Sequence, residues 1–97
     1  MKDFQQISLE ELEQKLKEIS YWAKIHAGKL LAKVQKDNPA KIIQDGTSRI
    51  VTYYDEHRHY LCTMHMVLTK EDIIIHEDVK DAWLNGIWYK CLTKKSE

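Results

Sequence analysis

Apolar residues in the first third of the chain recur at helical spacing. From Ser8 onward, successive apolar positions are three or four residues apart, close to the 3.6-residue period of an α-helix. Ser8 and Glu11 form a capping box, and Pro39 disfavours helix at Asn38. The pattern therefore predicts one amphipathic helix from Ser8 to Lys36. Its apolar stripe consists of Leu9, Leu12, Leu16, Ile19, Ala23, Ala27, Leu30 and Val34.

This predicted helix is long for a domain of 97 residues. At 1.5 Å per residue it would extend over ~43 Å. A compact domain of this size has a radius of gyration of ~12–13 Å and hence a diameter of roughly 32 Å. The helix must therefore either overhang the domain or break, and Gly28 is the most obvious place for a break.

After Pro39 the pattern becomes typical of β-strands. Residues 48–54 are rich in β-branched and aromatic side chains, and Asp45-Gly46 is a tight-turn pair. Residues 56–68, 73–75 and 87–92 read as further strands. The predicted fold is α+β, with the long N-terminal helix packed on a mostly antiparallel meander sheet of four or five strands. We expect a single domain over residues 1–97, with 1–7 as a lead-in and 93–97 as a loose tail.

Residues 77–86 have two interpretations. One is a short helix that begins at Asp78 and ends at Gly86. The other is a hairpin with its turn at 85–86. Asp81 and Ala82 are poor strand formers, so we favour the helix. The hairpin would create these cross-strand pairs: Trp83 with Trp88, and Asp81 with Lys90.

Charge and composition narrow the classes of function. Fifteen basic and fifteen acidic residues cancel, which argues against a protein whose main role is non-specific nucleic-acid binding. No apolar run approaches 18 residues, so we expect no membrane partner. The N-terminal residues lack a signal-peptide core, which favours a location in the cytoplasm.

Cys62 and Cys91 have no metal-binding spacing, and we expect both to be reduced and buried.

Three of the five histidines fall on one side of the strand predicted for residues 56–68. Side chains alternate between the two faces of a strand. One face would carry the core-like set Arg58, Tyr60, Cys62, Met64, Met66 and Leu68. The other would carry His57, His59, Leu61, Thr63, His65 and Val67.

A two-residue turn at Asp55-Glu56 would bring polar side chains together. Tyr54 would then face His57, and Thr52 would face His59. Such a cluster could bind an anion or transfer protons, because histidine titrates near ~6.5. A polar, solvent-facing side of a hairpin explains the same pattern without any site.

A metal site on this strand is the other alternative. His57 and His59 could hold an ion together, but His65 lies ~20 Å further along at 3.3 Å per residue. A third ligand would have to come from elsewhere: His76, Asp72 or Glu77. Because two ligands are weak support, we predict no metal ion and no cofactor.

The first functional hypothesis is a non-enzymatic interaction or regulatory module that acts as a homodimer. Its basis is the long helix, whose apolar length exceeds what one small sheet can cover. A symmetric contact between two copies would bury the excess. The same surface could accept a different protein partner.

The second hypothesis is a small metal-independent ribonuclease of the toxin type, which makes RNA a partner. RNA cleavage without a metal needs a base, an acid and a cation near the phosphate. His57 and His59 would be base and acid, Tyr54 would orient the substrate, and Arg49 or Arg58 would hold the phosphate. Thr52 and His65 would complete the binding surface. A helix followed by meander strands is also the element order of small ribonuclease toxins, which is a likeness of fold alone.

Overall fold

The computed structural model describes residues 3–91, which form a six-stranded sheet and two short helices. The strand order is β1-β6-β5-β4-β3-β2; β1 runs parallel to β6, and all other neighbours are antiparallel. The elements are β1 (Asp3–Ile7), α1 (Leu9–Glu18), α2 (Tyr21–His26), β2 (Leu31–Pro39), β3 (Thr47–Tyr54), β4 (Tyr60–Leu68), β5 (Ile74–Leu84) and β6 (Ile87–Cys91).

The predicted fold is wrong, because no long N-terminal helix is present in the described chain. The capping box at Ser8 does start α1, but the helix ends at Ile19, and Ser20 adopts a left-handed backbone with φ of 69°. The chain leaves α2 through Gly28, whose φ is 70°. Residues 31–39 then form β2, because pairing with β3 overrides their helical spacing.

Two further boundary predictions concern the ends of the chain. The N-terminal lead-in of residues 1–7 contains a strand, since β1 pairs with β6 and places Ile7 beside Cys91. The loose tail predicted for residues 93–97 lies outside the described residues.

Residues 77–86 adopt the hairpin interpretation, and the favoured short helix is wrong. Trp83 pairs with Trp88 across the β5–β6 hairpin, and Asp81 pairs with Lys90. The turn residue Asn85 and its neighbour Gly86 both have positive φ, 52° and 81°. Two consecutive left-handed residues fit the twist of a two-residue hairpin, which explains why the turn outweighs poor strand propensity.

Both helices pack on one side of the sheet, which we call the helix face. Leu12 and Leu16 of α1 are completely buried in a core that also contains Met64 of β4 and Val79 of β5. Ile25 of α2 joins the same cluster. The opposite side, the open face, carries alternate residues of the same strands, among them His65 of β4 and Asp78 of β5, which are partners across the two strands.

A bulge at the start of β4 changes the predicted alternation. Tyr53 pairs with Cys62 and Tyr54 pairs with Tyr60, so Leu61 is an extra residue. Leu61 and Cys62 are therefore both buried in the core, while Tyr60 turns to the open face. The prediction is right for Cys62, Met64, Met66 and Leu68, which are all buried. Burial raises the pKa of the Cys62 thiol to about 12.

The outer edge of the sheet is protected against pairing with another strand. All nine residues of β2 are exposed, and the register shifts between Val34 and Lys36. This irregularity discourages edge-to-edge association, and so do Lys33, Lys36 and Pro39.

Neither helix in residues 3–91 has the length and apolar character that a membrane span requires.

The first prediction concerns the contact between α1 and the sheet. Leu16→Ala should lower the free energy of unfolding by about 2–5 kcal/mol, because it leaves a cavity in a fully buried position. Ile42→Ala is the matched control, since Ile42 is 69% exposed and should change stability by less than about 0.5 kcal/mol. Urea denaturation measures both, and equal effects would show that α1 does not pack as described.

The second prediction concerns the pH dependence of folding. His26 of α2 bonds to the Trp22 carbonyl and to the Glu77 carboxylate, both at 2.8 Å. Burial opposes the charge on His26, but Glu77, Trp22 and the charge of Glu13 raise its pKa overall. A raised folded pKa stabilises the protein below the unfolded value of ~6.5, and this stabilisation is lost as pH rises through the folded pKa.

Melting temperatures of the protein and its His26→Gln variant at about pH 5.5 and about pH 8.5 test this prediction. The protein should exceed the variant by more at the lower pH. An advantage that stays constant, or grows at the higher pH, would contradict it.

Candidate metal centre

Three potential metal ligands converge on the open face. His65 in β4 lies directly opposite Asp78 in β5. His76 precedes Asp78 by two residues and so points to the same side of β5. One ligand atom from each of the three side chains lies within 4.8 Å of the others. The antiparallel register of β4 and β5 is thus what assembles this cluster, which we call the His-His-Asp cluster.

The distances within the cluster are close to those around one bound ion. His76 Nε2 lies 3.0 Å from Asp78 Oδ2, and His65 Nδ1 lies 3.8 Å from Asp78 Oδ1. In a tetrahedral site with bonds of ~2.0–2.2 Å, the ligand atoms lie roughly 3.3–3.6 Å from one another. The ligand atoms here lie within 4.8 Å of one another, so a ring rotation that shortens the longest separation by at most roughly 1.5 Å would complete a three-ligand site. The half-exposed ring of His76 has the freedom to make it, since 51% of this side chain is exposed.

A hydrogen bond with Ser48 of β3 orients the ring of His65. The Ser48 Oγ lies 2.8 Å from His65 Nε2. This bond occupies the nitrogen that faces away from the cluster and leaves Nδ1 directed toward Asp78. Metal-binding histidines are commonly fixed by such a bond on their second nitrogen.

A cleft of about 500 Å³ borders the cluster. Both histidines line it, together with Ser48 and residues 38–42 at the end of β2. Among residues 3–91, Lys41 is the one lysine or arginine in this lining. A ligand of small-molecule size fits a cleft of this volume and would reach an ion held by His65 and His76.

Gly46 keeps one wall of this cleft close to the sheet. A side-chain Cβ at this position would lie 2.7 Å from the Leu68 carbonyl oxygen and 2.5 Å from Ile43. Such distances are too short for any residue but glycine. The Gly46 carbonyl also accepts a hydrogen bond from Ala40 N at 3.0 Å, which closes the connection between β2 and β3.

The register predicted around the histidine strand is wrong. The turn between β3 and β4 spans residues 55–59, so Tyr54 pairs with Tyr60 and Thr52 pairs with Thr63. Asp55 Oδ1 accepts the backbone N–H groups of His57 and His59, at 2.8 and 2.9 Å, and these bonds stabilise the wider turn. Neither histidine therefore belongs to the strand.

The structure separates the residues predicted for catalysis and phosphate binding. His57 and His59 lie in the exposed turn with rings 6.2 Å apart, and Arg58 lies between them in the chain with φ of 66°. Arg49 forms two bonds to Asp37, at 2.8 and 3.1 Å, and it pairs with buried Met66 on the side away from the cluster.

The remaining predicted binding residues lie inside the sheet. Thr52 is buried, with 7% of its surface exposed, and Tyr54 is half-buried beside it in β3. Of the residues predicted for the ribonuclease site, His65 alone belongs to the His-His-Asp cluster.

Sequence reasoning missed His76 and Asp78 as partners of His65. From the sequence, His76 is a possible third ligand only for the pair His57 and His59, and Asp78 begins a short helix. The His-x-Asp spacing of residues 76–78 is the available signal, because residues two apart on a strand are the nearest neighbours on one face.

A rigid aromatic network lies on the same open face, nearer the turns. The Tyr60 hydroxyl donates to Asp81 and lies 2.6 Å from Thr63 Oγ1. Burial and the Asp81 carboxylate strongly raise the pKa of Tyr60, so its hydroxyl stays protonated. The Tyr60 ring stacks on Trp88 with centroids 5.4 Å apart. Trp83 meets Trp88 edge to face at 5.9 Å.

Comparison of the chain with known protein families, with curated proteins and with solved structures gives no match.

The Tyr60 network yields the third prediction. Tyr60→Phe should lower the free energy of unfolding by about 1.5 kcal/mol, because Asp81 loses a donor in a half-buried setting. Tyr54→Phe is the matched control, since the Tyr54 hydroxyl makes no hydrogen bond within the described residues and its loss should cost less than about 0.5 kcal/mol. Chemical denaturation of both variants measures the difference. Equal losses would mean that the bond to Asp81 contributes nothing.

Proposed function

We propose that the protein binds a divalent transition-metal ion, with zinc as the best fit, through His65, His76 and Asp78. The convergence of three ligand atoms within 4.8 Å is the observation that carries this proposal. The bond from Ser48 supports it, because this bond leaves the correct His65 nitrogen directed toward the ion.

The ligand set favours zinc or a neighbouring transition metal over magnesium and calcium. Imidazole nitrogens suit zinc, copper, iron and nickel, whereas magnesium and calcium prefer oxygen ligands. Two of the three ligands here are imidazoles. A single carboxylate would give magnesium or calcium only a weak hold.

Three protein ligands leave a coordination position open, which is typical of catalytic rather than structural zinc sites. When bound, the ion supplies Lewis acidity and lowers the pKa of a coordinated water to about 7. Lys41 in the adjoining cleft offers a positive charge to an anionic group of the substrate. Metal-assisted hydrolysis of a small anionic molecule is the reaction class that this arrangement supports best.

The homodimer and ribonuclease hypotheses stay predictions, but the described residues lack the structural feature on which each was based. The homodimer rested on a long apolar helix, and α1 and α2 instead bury their apolar residues within the chain. The metal-independent ribonuclease rested on a strand pairing that does not form. Sedimentation at micromolar concentration tests the first, and RNA cleavage by the zinc-free protein tests the second.

The fourth prediction is tight binding of one zinc ion per chain. Calorimetric titration should give unit stoichiometry for the protein and for the His57→Ala, His59→Ala control. That control removes two histidines of the same chain that lie outside the cluster. Single variants His65→Ala and His76→Ala should lose most of the affinity, because two remaining ligands seldom hold zinc. Equal affinity in the cluster variants and the turn control would contradict the proposal.

A second readout separates a metal site from a surface ion pair. Zinc at a hundredfold excess over its dissociation constant should stabilise the fold by about 2.7 kcal/mol, which raises the Tm by roughly 10 °C or more. Ser48→Ala should weaken zinc binding by about 10–100-fold while leaving the stoichiometry unchanged. A Tm that zinc does not change would count against the proposal.

A further inference from the structure

A second cleft lies at the other end of the sheet, away from the His-His-Asp cluster. It is bounded by the α1–α2 corner, the turn of residues 55–59 and the β5–β6 turn. Its volume is about 600 Å³, which is in the usual range for small-molecule sites. We call this space the end cleft.

Aromatic side chains dominate the end cleft. Tyr21, Tyr60, Trp83 and Trp88 line it, which is four of the nine aromatic residues in the chain. Stacking between Tyr60 and Trp88, and the edge contact from Trp83, hold three of these rings in fixed positions. The end cleft therefore has a preformed aromatic wall that need not be ordered when a ligand binds.

Asp55 gives the end cleft a negative charge. Among residues 3–91, the lining holds this one acidic residue and one histidine, His59, and no lysine or arginine. Although burial opposes ionisation of Asp55, the backbone N–H groups of His59 and His57 lower its pKa, so the carboxylate stays charged. Burial, together with the charges of Glu56 and Asp55, raises the pKa of Tyr21.

We infer that the end cleft binds an organic cation of the quaternary ammonium class. Aromatic faces attract a cation through their quadrupole, and cages of aromatic rings are the established way in which proteins bind alkylated ammonium groups. Asp55 adds a full opposite charge at one side of the wall. Lys24, which does not line the end cleft, places its Nζ 5.3 Å from the centre of the Tyr21 ring and forms an ion pair with Glu56.

The chemistry of the lining disfavours the other classes of small ligand. An anion would be repelled by Asp55 and would find no lysine or arginine among the described lining residues. A neutral planar molecule would gain from the rings but nothing from the carboxylate. A primary ammonium group keeps a strong hydration shell that a largely apolar wall cannot replace.

The test compares choline with its uncharged carbon isostere, 3,3-dimethyl-1-butanol. Both have the same shape around the substituted centre, and only choline carries the charge. Binding is followed by fluorescence of a Trp22→Phe variant, in which Trp83 and Trp88 are the remaining tryptophans. We expect choline to bind at least roughly tenfold more tightly than the isostere. Equal binding of the two, or no binding of choline, would overturn the inference.

A pair of charge variants locates the site. Asp55→Asn keeps an oxygen that can accept the two turn N–H groups, and it should reduce choline affinity roughly tenfold without changing isostere binding. Glu56→Gln removes the same charge from the next residue, which does not line the end cleft, and should change choline affinity less. A larger effect of Glu56→Gln would contradict the assignment. Melting curves establish that both variants fold.

Two further arms complete the experiment. A peptide that contains trimethyllysine distinguishes a protein ligand from a free metabolite, and tighter binding of either one than of the uncharged isostere supports the inference. Choline affinity should be unchanged in His76→Ala, so the end cleft and the zinc proposal can fail independently. Loss of choline binding in that variant would contradict a separate end cleft.

Discussion

Burial of one side of the central strands under two short helices constrains everything else in this structure. Leu12 and Leu16 lose all exposure against a surface that includes Met64 and Val79. Because strand side chains alternate, that burial also determines which residues reach the open face. A slip of one residue in β4 would place the core side chains in water and the histidine in the core. The free-energy cost of such a slip keeps β4 in the register that places His65 opposite Asp78.

Irregularities in the strands then shape the open face. The bulge at Leu61 lets β4 bury two successive residues and still present Tyr60 beside Asp81. A register shift between Thr63 and Met64 makes Lys80 an extra residue in β5, so Val79 and Ala82 are both buried although they lie three residues apart, and Asp81 is not buried. The open face thereby carries a polar cluster near one end and an aromatic network near the other.

Parts of the structure follow from local sequence, and the rest depends on pairing between distant segments. The capping box at Ser8 and the strands β3 and β4 could be predicted, because local propensity and burial agree there. The strand at residues 31–39 could not be predicted, because its apolar residues have helical spacing. The structure instead places this segment in an exposed edge strand. The cluster was missed for a similar reason. Asp78 read as the start of a helix, and the five-residue turn placed His57 and His59 outside the strand that contains His65.

The most direct test of the central claim is a long-range ¹H–¹⁵N NMR spectrum of the five histidine side chains with and without zinc. Metal binding at His65 and His76 should shift the resonances of the nitrogens that face Asp78, which are His65 Nδ1 and His76 Nε2. The rings of His57 and His59 should keep their shifts. If those turn histidines respond instead, or if no histidine does, the open face does not hold the metal as proposed.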